Sequence, residues 1–66
     1  MLKTNIALLR FERNMTQEDL ANLVGIRRET IARLEKGLYN PSLKIAMDIA
    51  KVFDKTVEEV FEFIEE

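Results

Sequence analysis

The sequence predicts an all-α fold of five short helices, closed by a small antiparallel two-stranded sheet from its N- and C-terminal segments. Three observations carry this expectation. Apolar residues recur at helical spacing in five short stripes. Capping residues, two glycines and one Asn-Pro pair cut the chain between the stripes. Residues 1–4 and 62–66 are short mixed apolar-polar segments left outside the stripes. At 66 residues the chain is expected to be one domain over 1–66. A domain of that size buries only about 60% of the surface its unfolded chain exposes, so its core is marginal. Hydrophobic residues at 47% and charged residues at 33% are the balance of a folded chain, not of a disordered tail.

Helix 1 is predicted over residues 5–13. Ile6 and Leu9 set its inner stripe, with Leu2, Leu8 and Phe11 around it. Thr4 or Asn5 is available as its N-cap. Asn14 tolerates left-handed backbone and ends it. Helix 2, over 17–23, opens on a capping box in which Thr16 accepts from the amide three residues on and Asp19 reaches back. Leu20, Ala21 and Val24 continue the stripe until Gly25 stops it. Helix 3, over 28–36, turns Ile31 and Leu34 inward and ends at Gly37. Asn40-Pro41-Ser42 reads as a turn and an N-cap, and Leu43, Ala46, Ile49, Ala50 and Phe53 form helix 4 over 43–53. After the Asp54-Lys55 turn, Thr56 and Glu59 make a second capping box, and Val60 and Phe61 complete helix 5 over 57–61. Residues 62–66 either extend helix 5 or pair as a strand with residues 1–4, and the strand is the preferred reading. Two strands alone are marginally stable, so they need an apolar support, which Leu8 or Phe11 could supply.

The composition excludes much chemistry. Without cysteine there is no disulfide, thiol nucleophile or Cys-zinc site. Without histidine the usual general base and the commonest metal ligand are gone. No catalytic residue, metal site or cofactor is expected, nor a small-molecule ligand. No apolar run approaches the roughly 18 residues of a membrane span, and no signal-peptide core is visible. The expectation is a soluble cytoplasmic binding module and not an enzyme.

Charge is uneven. Residues 1–37 carry seven Lys/Arg against five acids, whereas residues 38–66 carry three Lys against seven acids. The net charge of −2 therefore hides a basic stretch between Arg27 and Lys44 and an acidic one from Glu58 to Glu66. Association responds to local potential more than to the sum.

Helices 2 and 3, joined by a turn at Gly25, carry the signature of a helix-turn-helix over about 16–37. Arg27, Arg28, Glu29 and Thr30 form a polar N-terminal end on helix 3, and Arg33 follows Glu29 at i+4. Arg can donate two hydrogen bonds to guanine, and Glu can accept from cytosine N4. The runs Thr16-Gln17-Glu18-Asp19-Leu20-Ala21, Val24-Gly25-Ile26, Thr30-Ile31-Ala32-Arg33-Leu34-Glu35-Lys36-Gly37 and Asn40-Pro41-Ser42-Leu43 resemble the lambda-repressor-like, Cro-type helix-turn-helix proteins. The resemblance spans about Asn5 to Phe61 and is greatest to short, single-domain regulators. It implies a homodimer that binds double-stranded operator DNA, most often as a transcriptional repressor. It assigns base reading to Gln17, Arg28, Glu29 and Arg33. It assigns backbone contacts to Thr16, Arg27, Thr30, Lys36, Tyr39 and Asn40. It implies a partly buried structural ion pair between Arg10 and Glu35. Arg27 departs from the family, which usually has Ser or Thr at that N-cap, so helix 3 is expected to be less well capped.

Other readings stand beside these. Arg33 and Glu29 could be a solvated ion pair worth about 0.3–0.5 kcal/mol. Gln17 could only assist a cap, Tyr39 cover the loop and Asn40 make the turn. Arg13 could meet phosphate or solvent. Leu2, Val57, Phe61, Phe63 and Ile64 are either core or a dimer interface, with the interface favoured for Phe63 and Ile64. The rival function is a protein-interaction module or antitoxin-like subunit acting through a protein partner.

Overall fold

A computed structural model describes residues 1–65. Along the chain the elements are β1 (Leu2–Thr4), α1 (Ile6–Glu12), α2 (Gln17–Val24), α3 (Arg28–Glu35), α4 (Leu43–Val52), α5 (Val57–Val60) and β2 (Phe61–Phe63). The five helices and the terminal sheet are those the sequence predicts. Position 66, placed at the end of the tail strand by the sequence, lies outside the described residues.

Each helix begins and ends for a local reason. Thr16 and Thr56 accept from the amides of Asp19 and Glu59, and both acids accept in return from the threonine amides. Ser42 accepts from the Ile45 amide at 3.2 Å. Asn14 and Asp54 adopt left-handed backbone, φ 52° and 54°, where α1 and α4 stop. One end differs from expectation. Asn5 is the N-cap position of α1, yet its side chain does not cap. Its Nδ2 donates instead to the Glu59 carbonyl at 2.9 Å, and its backbone amide to Val60 at 2.9 Å. Asn5 thereby joins the start of α1 to the end of α5.

The inner stripes meet in one core. Ile6, Leu20, Ile31, Leu34, Ile49, Phe53 and Val60 are fully buried, so all five helices contribute to it. Arg13 joins two of those helices. Its guanidinium donates to the carbonyls of Val52 and Phe53 at 2.9 and 2.8 Å and lies 5.3 Å from the Phe53 ring centre. It closes the C-terminal end of α4, a role that nothing in its sequence neighbourhood indicates.

The strands pair antiparallel, Leu2 with Phe63, Lys3 with Glu62 and Thr4 with Phe61. β2 starts one residue earlier than predicted, because Phe61 has extended backbone (φ −122°, ψ 139°) and ends α5 after a single turn. The support beneath the sheet is also different. Leu8 and Phe11 are exposed and lie outside the core. The sheet is anchored through Leu2, Phe61 and the α5 end, with β1 lying against the turn at Gly37. Gly37 has φ +72°, and a Cβ there would strike the Leu2 carbonyl oxygen. The residue that ends α3 thus also admits the first strand.

Candidate nucleic-acid interface

The bend between α2 and α3 is built by Gly25. At φ 81° it turns the chain left-handed, and its amide and that of Ile26 both return to the Ala21 carbonyl, at 2.8 and 3.0 Å. Ile26 packs against the core. Arg27 then enters α3 with extended backbone and no side-chain cap. The missing cap leaves the first-turn amides of α3 without a side-chain acceptor, which favours an anion at that end.

With Ile31 and Leu34 buried, the opposite face of α3 must point outward. Arg28, Glu29 and Arg33 are exposed there, and Thr30 is half-buried. Among the described residues the ion pairs are Arg10–Glu35 and Lys44–Asp48, so no salt bridge ties Glu29 to Arg33. The donors and the acceptor on this face are unspent. Arg27 and Lys36 flank them, exposed, at the two ends of the helix, and Tyr39 and Asn40 stand exposed in the loop that follows.

Beneath this face lies a polar network. Arg10 is 6% exposed. Its Nε and Nη2 donate to the two carboxylate oxygens of Glu35 at 2.7 and 3.0 Å, and its Nη1 to the Met15 carbonyl at 2.9 Å. Gln17 Nε2 donates to Glu35 Oε1 at 3.1 Å. The Glu35 carboxylate on α3 therefore holds α1 and the first residue of α2, Arg10 ties in the α1–α2 turn, and the network fixes the angle at which α3 is presented. Gln17, half-buried, keeps its second amide hydrogen for another acceptor. Thr16, Gln17 and Arg28 line one open recess of about 610 Å³, together with Phe11, Asn14 and Glu18. Sequence reasoning missed these last three. Phe11, 68% exposed, could have been singled out only by knowing that no core covers it.

The five interface candidates divide. Leu2 and Phe61 are 4% and 8% exposed, and Val57 packs against the core. Within one chain the inward face of the sheet takes up Leu2 and Phe61, and Val57 is half-buried at the α5 turn, which fits the core alternative of the two the sequence leaves open for them. Phe63 is 65% and Ile64 40% exposed. Leu38, also 65% exposed, is an apolar surface residue that sequence reasoning missed. Among the described residues no cluster of metal-ligating side chains occurs, and no helix is long and apolar enough to cross a membrane.

Comparison with known proteins agrees with this geometry. Residues 6–60 match the Helix-turn-helix family. An HTH-type transcriptional regulator of Archaeoglobus fulgidus is 57% identical over 65 residues, covering 98% of this chain and 92% of that one. The cryptic phage CTXphi transcriptional repressor RstR of Vibrio cholerae is 33% identical over 60 residues, 91% of this chain and 54% of that protein. The crystal structure of the restriction-modification controller protein C.AhdI from Aeromonas hydrophila superimposes with a TM-score of 0.75 at 31% identity, over 82% of each chain. The chain belongs to the XRE-type, lambda-repressor-like helix-turn-helix family of DNA-binding transcriptional regulators.

Proposed function

We propose that this protein binds operator DNA sequence-specifically as a homodimer, in the cytoplasm, and represses transcription. One observation carries the reading: Arg28, Glu29 and Arg33 stand together on the outer face of α3, with no salt bridge among them. A guanidinium can meet guanine O6 and N7, and the carboxylate can accept from cytosine N4. The carboxylate would repel phosphate, so its place on this face favours base reading over a backbone grip. Thr16, Arg27, Thr30, Lys36, Tyr39 and Asn40 are the proposed backbone contacts. Gln17 contributes its free amide hydrogen while Glu35 holds the other. Repression is supported by the likeness to the phage repressor, and dimerisation by the exposed Phe63 and Ile64. In a dimer the two α3 helices would enter successive major grooves about 34 Å apart on a pseudo-palindromic site.

The test is a mobility shift on duplexes selected from a random pool, with the protein's own promoter region as one candidate. The expected result is tight binding to one consensus and much weaker binding to its scrambled form. Equal competition by the two duplexes would refute specific reading. If no duplex shifts, and Phe63→Ala impairs function while Arg28→Ala and Arg33→Ala do not, the protein acts through a protein partner instead.

A further inference from the structure

We infer that Phe11 is a further DNA-contacting residue: its ring packs on a deoxyribose of the strand that crosses the recess beside Gln17. The inference rests on the DNA reading above and adds to it an apolar contact outside α3.

Phe11 is 68% exposed near the C-terminal end of α1 and takes no part in the core. Single apolar residues on a surface are ordinary and need no function. Two observations set this one apart. The first is that the ring is held. The Arg10 guanidinium carbon lies 5.0 Å from its centre, and that guanidinium is itself fixed by Glu35 and the Met15 carbonyl. A cation over an aromatic face is attracted by the ring quadrupole. A ring that served only to cover the ion pair would be spent by that contact, yet most of its surface stays bare. A side chain already immobilised loses little further freedom when a ligand meets it. The second observation is its company. Phe11 lines the open recess with Thr16, Gln17 and Arg28, three residues proposed above as DNA contacts. The exposed pair Leu43 and Met47 on α4, by contrast, lines a recess that contains no proposed DNA contact.

The chemistry of the recess selects the sugar as the occupant. In a helix-turn-helix the second helix enters the major groove and the first crosses the backbone. Here the first is α2, so the recess at its start lies along the sugar-phosphate strand. Phosphate does not suit the Phe11 side of it. Arg10 is neutralised by Glu35, and Glu18 lines the recess as an exposed carboxylate with no salt bridge among the described residues. An apolar ring and a free acid both disfavour an anion. Deoxyribose presents neutral C–H surface between one phosphate and the next. A sugar on Phe11 leaves the neighbouring phosphates to Thr16, a proposed backbone contact, and to the Asn14 amide at the same recess.

The experiment is an anisotropy titration of the full chain on the cognate and scrambled duplexes across a salt series. Phe11→Ala should weaken both duplexes by the same factor, about five- to tenfold for each protomer, as burial of one ring face implies. Discrimination between them should not change, because every sequence carries the same sugar. The salt slope should not change either, because a neutral contact releases no counterion. Phe11→Leu, which keeps apolar bulk, should recover part of the loss. In the wild-type complex the Phe11 ring protons should show nuclear Overhauser effects to deoxyribose protons. If the wild type binds duplex but Phe11→Ala binds as tightly, or no such effects arise, the inference fails and the DNA reading stands. A partner protein or a small ligand on the ring would give that result. A loss confined to one base pair would make Phe11 a base reader and overturn the sugar contact. A loss that only follows a lowered urea midpoint would reduce the ring to a cover for the Arg10–Glu35 pair and overturn it too. If the wild type binds no duplex, the DNA reading itself fails and takes the inference with it.

Discussion

Arg28 and Glu35 lie on one helix and do opposite work. Arg28 is exposed, so replacing it disturbs no packing. Arg28→Ala and Arg33→Ala should each cost about 2 kcal/mol of discrimination, roughly thirtyfold, between the cognate duplex and one altered under that arginine. Their urea midpoints should stay at the wild-type value. Fluorescence anisotropy on paired duplexes reads the first quantity and chemical denaturation the second. Glu35 reverses the pattern. Both its oxygens are engaged, and the Arg10 side chain it neutralises is only 8% exposed. Glu35→Ala would strand that charge, and breaking a buried pair costs about 3–5 kcal/mol. A loss of that size in denaturation is expected, and DNA affinity should fall with the folded fraction. An unchanged midpoint would show that Arg10 finds water or another acceptor.

Helix ends were the most legible part of the sequence, because a cap is a contact between residues three apart. Thr16 with Asp19, Thr56 with Glu59, Ser42, Asn14 and both glycines all stand as their spacing predicts. Asn5 and Arg13 were not legible, since their partners lie 54 residues and about 40 residues away along the chain. The exposed arginines of α3 were legible from a short run, whereas the contact of Gly37 with β1 was not, because Leu2 lies 35 residues away along the chain. The two glycines make a testable pair at this scale. Both have positive φ, but a Cβ at Gly25 meets nothing within 4 Å, while one at Gly37 meets the Leu2 backbone. Gly25→Ala should cost about 1–2 kcal/mol of left-handed strain. Gly37→Ala should cost more and expose β1 amides to hydrogen exchange. The capping boxes carry a pH dependence. Hydrogen bonds from the backbone amide and then the hydroxyl of Thr16 hold the Asp19 carboxyl below its ordinary value, and Thr56 does the same for Glu59. A carboxyl lowered on folding stabilises above its unfolded pKa, and that gain is lost as pH falls through the folded one. The urea midpoint should therefore drop with acid below about pH 4, and Asp19→Asn with Glu59→Gln should flatten part of that slope.

At the scale of the whole molecule, an acidic chain can still bind DNA because its charges are segregated. Arg27, Arg28, Arg33 and Lys36 all belong to α3 or its two caps, while Glu58, Glu59, Glu62 and Glu65 run along α5, β2 and the tail. A duplex approaching the α3 face meets the basic set at short range. The Debye length at physiological salt, about 8 Å, weakens charges beyond it, and the described residues extend 33 Å along their longest axis. Salt should then separate the two kinds of contact. Each phosphate neutralised releases counterions and adds about 0.9 to the slope of log affinity against log salt. Lys36→Ala removes one proposed phosphate contact from each protomer. It should lower the slope by about 2 for a bound dimer and weaken cognate and scrambled duplexes alike. Arg33→Ala, which removes one proposed base contact, should narrow the difference between the two duplexes by roughly thirtyfold and leave the slope nearly as it was. A salt series of anisotropy titrations on both duplexes measures slope and discrimination together. If the two substitutions exchanged these effects, Lys36 would be the reader and Arg33 the backbone clamp, and the register of α3 in the groove would have to shift toward its C-terminal end.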